Sequence, residues 1–186
     1  MTNRALLVVD YSNDFIADNG LLTCGKPGQA IEDFIVSRIN HYHQTQDSIF
    51  FLMDLHYEQD SYHPESKLFP PHNIINTSGR ELYGRVGDIY NQIKTQPNIH
   101  FIDKTRYDSF YGTTLDSLLR ERHIKNIEIV GVCTDICILH TAISAYNLGY
   151  HISIPEHGVA SFNQQGHDWA LAHFKNALGA EVEQFI

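Results

Sequence analysis

The stretch Ile129-Val-Gly-Val-Cys133-Thr-Asp-Ile-Cys137-Ile-Leu-His-Thr141 changes its period in the middle. Ile127 to Val132 is an apolar run of strand length, interrupted by Glu128 alone, and reads as a buried strand. Beyond it, Ile138, Thr141, Ala142, Ala145 and Leu148 recur at helical spacing, and Gly149 supplies a stop. Thr134 and Asp135 stand in the turn as candidate caps, which places Cys137 in the first helical turn. Unpaired backbone N–H groups and the positive end of the helix dipole meet there and favour a thiolate. A buried cysteine in such a turn is more often a small packing residue than a nucleophile. What decides between the two is whether other segments bring a base, a cation and a substrate pocket.

Outward from this stretch the chain alternates strand and helix. Arg4-Ala-Leu-Leu-Val-Val-Asp10 and Ser48-Ile-Phe-Phe-Leu-Met-Asp54 are apolar runs that each end in a carboxylate, and His100-Phe-Ile-Asp103 ends at Lys104. A further strand is expected at Ile152–Pro155 and a last edge strand at Val182–Ile186. Between them lie a helix striped by Ile31, Phe34, Ile35 and Ile39, one near Arg85–Lys94, and one capped by Thr113 or Thr114 with Leu115, Leu118 and Leu119 inward. Another carries Trp169, Ala172 and Leu178 and stops at Gly179. The alternation predicts a single α/β domain over residues 1–186: a three-layer α/β/α arrangement around a Rossmann-like parallel sheet.

With 186 residues, 42% of them hydrophobic, there is material for one sizeable core. A net charge of -9 with scattered Lys and Arg argues against nucleic acid or an anionic membrane as partner. No apolar run reaches the length of a membrane span, and the chain enters its first strand too soon for a signal peptide. The three cysteines, Cys24, Cys133 and Cys137, have no framework spacing and read as reduced thiols, so a cytoplasmic protein is expected.

Asp10, Asp54, Lys104 and the turn before Cys137 all follow predicted strands, and the carboxyl ends of parallel strands are where ligands bind. Together they make a nucleophile site. Asp10 can take the thiol proton if burial raises its pKa, Lys104 favours the thiolate, and backbone N–H groups between residues 133 and 137 can hold an oxyanion. His140, three positions beyond Cys137, is a rival base. A second constellation runs through the irregular segment 56–80: Asp54-Leu-His56, His63-Pro-Glu65-Ser66 and Phe69-Pro-Pro-His72. Asp-x-His on extended backbone puts both side chains on one side, and carboxylate with imidazole suits Zn²⁺, Mn²⁺ or Fe²⁺ better than Ca²⁺.

Val8-Val9-Asp10-Tyr-Ser-Asn-Asp14-Phe15, Asp54-x-His56, His63-Pro-Glu-Ser-Lys-Leu-Phe-Pro-Pro-His72, Asp103-Lys104 and Gly131-Val-Cys-Thr-Asp-Ile-Cys137 resemble the nicotinamidase/pyrazinamidase family of isochorismatase-like cysteine hydrolases. The resemblance spans residues 4 to 180. It implies a triad of Asp10, Lys104 and Cys137, an oxyanion hole from the N–H groups of Cys133 and Cys137, and a cis peptide before Cys133. It also implies a divalent metal, zinc above manganese or iron, on Asp54, His56 and His72, with Glu65 acting through a water and His63 as the alternative. Phe15, Phe69 and Tyr107 would enclose the substrate ring, with Leu22 and Cys133 beside it. The implied activity is hydrolysis of nicotinamide and pyrazinamide through a thioester, in nicotinamide recycling towards NAD, by a homo-oligomer. Another isochorismatase-like amidase with a different small amide is the alternative. The sulfur of Cys133 reads as structural, with a disulfide to Cys137 as its one reactive outcome.

Overall fold

The computed structural model describes residues 3–183. A parallel sheet at its centre contains β1 (Arg4–Val9), β2 (Ser48–Asp54), β3 (Ile99–Lys104), β4 (Asn126–Val132) and β5 (His151–Ser153), in the order β3-β2-β1-β4-β5. A two-residue strand, β6 (Val159–Ala160), pairs with the end of β4. The chain steps outward from β1 to β3 on one side and then returns to place β4 on the other side of β1. Strand order therefore reverses between β1 and β4, and their carboxyl ends open the crevice that parallel sheets use for ligands.

Successive side chains of a strand face opposite ways, so each apolar run feeds two cores. Leu6, Val8, Ile49, Phe51 and Val130 pack beneath α1 (Asn13–Ile16), α2 (Gly25–Ala30), α3 (Glu32–Gln44) and α4 (Gly84–Ile93). Leu7, Val9, Phe50, Leu52 and Ile129 pack beneath α5 (Leu115–Glu121), α6 (Leu139–Asn147) and α7 (Gln164–Ala177). Each such side chain contributes about 1.5–3 kcal/mol on full burial, so the interiors of β1 and β2 are apolar on both faces, while β4 carries Glu128 only as the ion-pair partner of Arg38. Helices cover both faces, as the sequence predicts.

Gly131 makes the switch point possible. Its φ is 121°, and a Cβ there would run into the Val9 carbonyl, whose carbon lies 2.9 Å from the Cβ position. Only glycine lets β4 close on β1 at that level.

Local differences from the sequence reading have packing reasons. In α7 the buried face is Ala170 and Phe174, while Trp169 is 56% exposed and stacks on His173, so the apolar stripe is displaced by one position. The short strand β6 has too little length for a periodic signal. Of the edge strand expected at Val182–Ile186, residues 184–186 lie outside the described residues. Within them the chain pairs with β5 through a parallel bridge between Ser153 and Glu181. Among the described residues no helix is long and apolar enough to cross a membrane.

Candidate active site

Asp10 follows β1 with a φ of 54°, a left-handed turn that leaves its carboxyl at the sheet edge. Its N–H still donates to the Leu52 carbonyl at 2.9 Å, and its Oδ1 accepts from the Asp54 N–H at 2.8 Å. The β2–β3 register sets Asp54 opposite Lys104. The Lys104 ammonium reaches Asp10 Oδ2 at 2.7 Å, Asp54 Oδ1 at 3.4 Å and the Arg106 carbonyl at 3.2 Å, and lies 3.8 Å from Cys137 Sγ. All four side chains, of Asp10, Asp54, Lys104 and Cys137, are buried.

Burial raises the Asp10 pKa, with the Asp54 charge adding to it and Lys104 opposing. That direction suits a general base. Burial disfavours the Lys104 ammonium, yet the carboxylates of Asp10 and Asp54 outweigh it and hold its pKa well above the usual value. Burial pushes the Cys137 thiol well up, Lys104 opposes, and Asp10 and Asp54 push the same way as burial. The turn and Lys104 are expected from sequence to favour the thiolate; burial and the two carboxylates work against it, which leaves the thiol in need of a base.

The local backbone around Cys137 is not a capped first helical turn. The peptide bond between Val132 and Cys133 is cis, and Thr134–Ile138 form a wide π-helical turn ahead of α6. The Cys133 carbonyl accepts from the N–H groups of Ile136 and Ile138, each at 3.1 Å, bracketing Cys137. Thr134 and Asp135 do not cap. Asp135 accepts from the Ser161 hydroxyl at 2.6 Å and the Thr134 hydroxyl meets His167 Nδ1 at 2.8 Å, so one side chain ties the turn to the β6–α7 connection and the other to α7 itself. Cys133 packs in the α1–α4 core and Cys137 in the α5–α7 core. The Cys133 sulfur lies 3.3 Å from that of Cys24, which replaces Cys137 as its thiol neighbour. His140 is exposed and spends Nδ1 on the Ile136 carbonyl at 2.8 Å, away from the thiol.

The second constellation closes on itself. Asp54, His56, Glu65 and His72 are all buried and offer ligand atoms within 4.8 Å of one another. His56 Nε2 is 2.7 Å from Asp54 Oδ2, and His72 Nε2 is 3.6 Å from both Asp54 and Glu65. Burial opposes ionisation of Asp54, but Lys104, His56 and His72 outweigh it and carry its pKa far below the carboxylate range. Burial likewise opposes protonation of His72, but Asp54 and Glu65 push its pKa up to about 10. Glu65 Oε1 and His72 Nε2 are buried with no hydrogen-bond partner among the described residues. Orphaned buried donors and acceptors are expensive, and a divalent cation on two carboxylates and two imidazoles removes that cost. His63 is not part of the group: its Nδ1 accepts from the Glu65 N–H as the cap of the Pro64–Lys67 turn, and its Nε2 meets the Thr105 carbonyl at 2.7 Å. A cavity of about 390 Å³ lies against His56, Glu65, Phe69 and His72. One of about 400 Å³ beside Arg4 and Glu128, at the other end of the sheet, lacks such a cluster, so chemistry distinguishes them and size does not.

The isochorismatase domain model matches residues 4–184. The chain belongs to the isochorismatase family. Its fold is that of the isochorismatase-like hydrolases, with a parallel sheet between helical layers. It is 71% identical to the nicotinamidase SaPncA from Staphylococcus aureus, with a TM-score of 0.86 over 99% of this chain and 100% of that one. It is 50% identical to the nicotinamidase/pyrazinamidase PncA from Bacillus subtilis, with a TM-score of 0.96 over 98% of this chain and 100% of that one. It is also 49% identical to the isochorismatase family protein PncA of Bacillus subtilis (strain 168), over 97% of this chain and 99% of the relative.

Around this isochorismatase-family site the expected wall residues divide. Phe15 is buried edge-on to His72 with ring centroids 5.3 Å apart, and half-buried Phe69 meets the same ring at 6.3 Å. Burial, Glu65 and Cys137 push the Tyr107 phenol up to about 12, and its ring lies 5.2 Å from that of His140. Leu22 packs half-buried against the α1–α4 core, and its N–H donates to the Asp14 carbonyl at 3.1 Å. Sequence reasoning missed Arg80, which donates to the Asp54 carbonyl at 2.8 Å and pairs with Asp103, holding the end of β2. No periodic signal marks such a residue, because it acts from an irregular segment.

Proposed function

We propose that this chain hydrolyses nicotinamide, and pyrazinamide as a close analogue, to the ring carboxylate and ammonia through a thioester on Cys137. The observation that carries this reading is the shared contact of the Lys104 ammonium with Asp10, Asp54 and Cys137 beside the four-residue ligand group. Asp54, His56, His72 and Glu65 would hold a divalent ion, with zinc the best match to the donor set. Such an ion, when bound, accepts the lone pair of a ring nitrogen and so aims the carboxamide at the thiol.

Asp10 removes the Cys137 proton as sulfur attacks the carboxamide carbon, and the N–H groups of Cys133 and Cys137 stabilise the oxyanion. Lys104 keeps the anionic charges of Asp10 and the sulfur compensated. Protonated Asp10 returns its proton to the departing ammonia, leaving an acyl thioester. A water that gives a proton to Asp10 then attacks the thioester, and the thiol leaves reprotonated. Phe15 and Phe69 form the walls of the ring site, with Tyr107 at its edge.

The test is ammonia release from nicotinamide, with benzamide as control, by the wild type and Cys137→Ala. Turnover of nicotinamide alone, lost in the variant, supports the reading. Equal rates on both amides would defeat ring-nitrogen positioning, and activity surviving in Cys137→Ala would defeat the thioester.

A further inference from the structure

Ser12 and Asp14 are buried polar residues in a segment otherwise given to Phe15 and Ile16. Both reach one residue, Asn73, which directly follows His72. Asp14 Oδ2 accepts from the Asn73 N–H at 2.7 Å, and the Ser12 hydroxyl donates to Asn73 Oδ1 at 2.8 Å. The Asn73 carbonyl accepts from the His56 N–H at 3.1 Å, and the His56 carbonyl accepts from the Ile75 N–H at 2.9 Å. Asn73 is fully buried with a φ of 45°, a left-handed conformation that asparagine adopts more readily than most residues. The Ser12 N–H meanwhile donates to the Asp10 carbonyl at 2.9 Å. A single residue thus bonds to the β1 exit on one side and holds both histidine segments on the other. Gly79 lies so close to the Asp14 carboxylate that a side chain there would displace it.

We infer that Asn73, clamped by Ser12 and Asp14, is the positioning residue that sets the spacing between His56 and His72 and locks the metal-ligating group to the strand exit carrying Asp10. This inference rests on the reading that the group binds a divalent cation. The clamp supplies what a long irregular segment lacks. Backbone freedom in residues 56–72 would otherwise spread the two imidazoles over many separations, and a cation selects one. Asp14 suits the clamp because its two oxygens each face a backbone N–H, of Leu21 at 3.4 Å and of Asn73. An asparagine would present one amide N–H₂ to a donor.

The measurement is Zn²⁺ affinity, by competition with a chromogenic chelator at neutral pH, alongside the melting temperature of the metal-free protein. Ser12→Ala, Asp14→Asn, Gly79→Ala and Asn73→Gly should each weaken Zn²⁺ binding, by about 10- to 100-fold for the most affected, as for other residues that orient ligands. Asn73→Gly accepts the left-handed backbone and loses only the Ser12 bond, so it should weaken binding less than Asn73→Ala. Should Asp14→Asn fail to fold, Ser12→Ala and Asn73→Gly still decide the matter. Folded variants with lowered melting temperature and wild-type Zn²⁺ affinity would overturn the inference. A wild-type protein that binds no Zn²⁺, Mn²⁺ or Fe²⁺ would instead overturn the cation reading beneath it.

Discussion

Replacing Lys104 by methionine removes the buried cation that Asp10, Asp54 and Cys137 share, and the geometry sets the scale of the effect. At 2.7 Å from Asp10 Oδ2, and with an effective dielectric constant near 20, the Coulomb attraction is about 6 kcal/mol. Desolvation of the ammonium offsets much of this. The net cost of removing one partner from a buried pair is about 3–5 kcal/mol, against total stabilities of about 5–15 kcal/mol. Without the cation, burial and Asp54 both drive Asp10 towards its protonated form, in which it accepts no proton from the thiol. Native Asp10 and Asp54 bind protons more tightly in the variant than in the wild type, so the stability gap grows as pH rises and the two carboxyls ionise uncompensated. Urea unfolding of the metal-free proteins should show a larger gap at pH 7.5 than at pH 4.5. The specificity constant for amide hydrolysis should fall by about 10²- to 10⁴-fold, the usual worth of a general base. A gap independent of pH, or a variant within threefold of wild-type activity, would refute the reasoning.

Gly131→Ala should destabilise the fold by about 3 kcal/mol or more, since the new Cβ meets the Val9 carbonyl at a backbone position that disfavours L residues; urea midpoints measure this. Alkylation of Cys137 by iodoacetamide should accelerate steadily from pH 7 to 9.5 without a plateau, because burial holds its thiol above the ordinary pKa; peptide mass mapping of the labelled site follows the rate, and a plateau below pH 7 would contradict it. Chelation by dipicolinate followed by dialysis should abolish the preference for nicotinamide over benzamide, and add-back of Zn²⁺, Mn²⁺ or Fe²⁺ should restore it, with ammonia release as the readout.

The parts of the site that were legible in the sequence are those tied to strand ends. An apolar run of fixed length places the residue that follows it, so Asp10, Asp54 and Lys104 converge once β1, β2 and β3 are recognised as neighbours. The candidate metal group was legible by type, because Asp, Glu and His supply oxygen and nitrogen donors that divalent cations take. Cys137 was legible by position, but its surroundings were not. Thr134 and Asp135 have capping chemistry, yet long-range partners, Ser161 and His167, compete for their side chains. The choice between His63 and Glu65 depended on which ring atoms were already committed, and the Glu65 N–H and Thr105 carbonyl take both nitrogens of His63.

By itself the sequence determined the α/β alternation, the three-layer arrangement and the residue types collected at the crevice, because period, strand length and donor chemistry are local properties. The tertiary structure alone decided three things. The sulfur of Cys133 faces Cys24 in the α1–α4 core while Cys137 packs in the α5–α7 core, since the cis peptide and the π-helical turn beyond β4 set their directions and no strand or helix period does. The Cys137 thiol is held above its ordinary pKa, since burial outweighs the nearby cation. Ser12 and Asp14 reach Asn73 across about sixty residues of chain, a bond that no local pattern encodes.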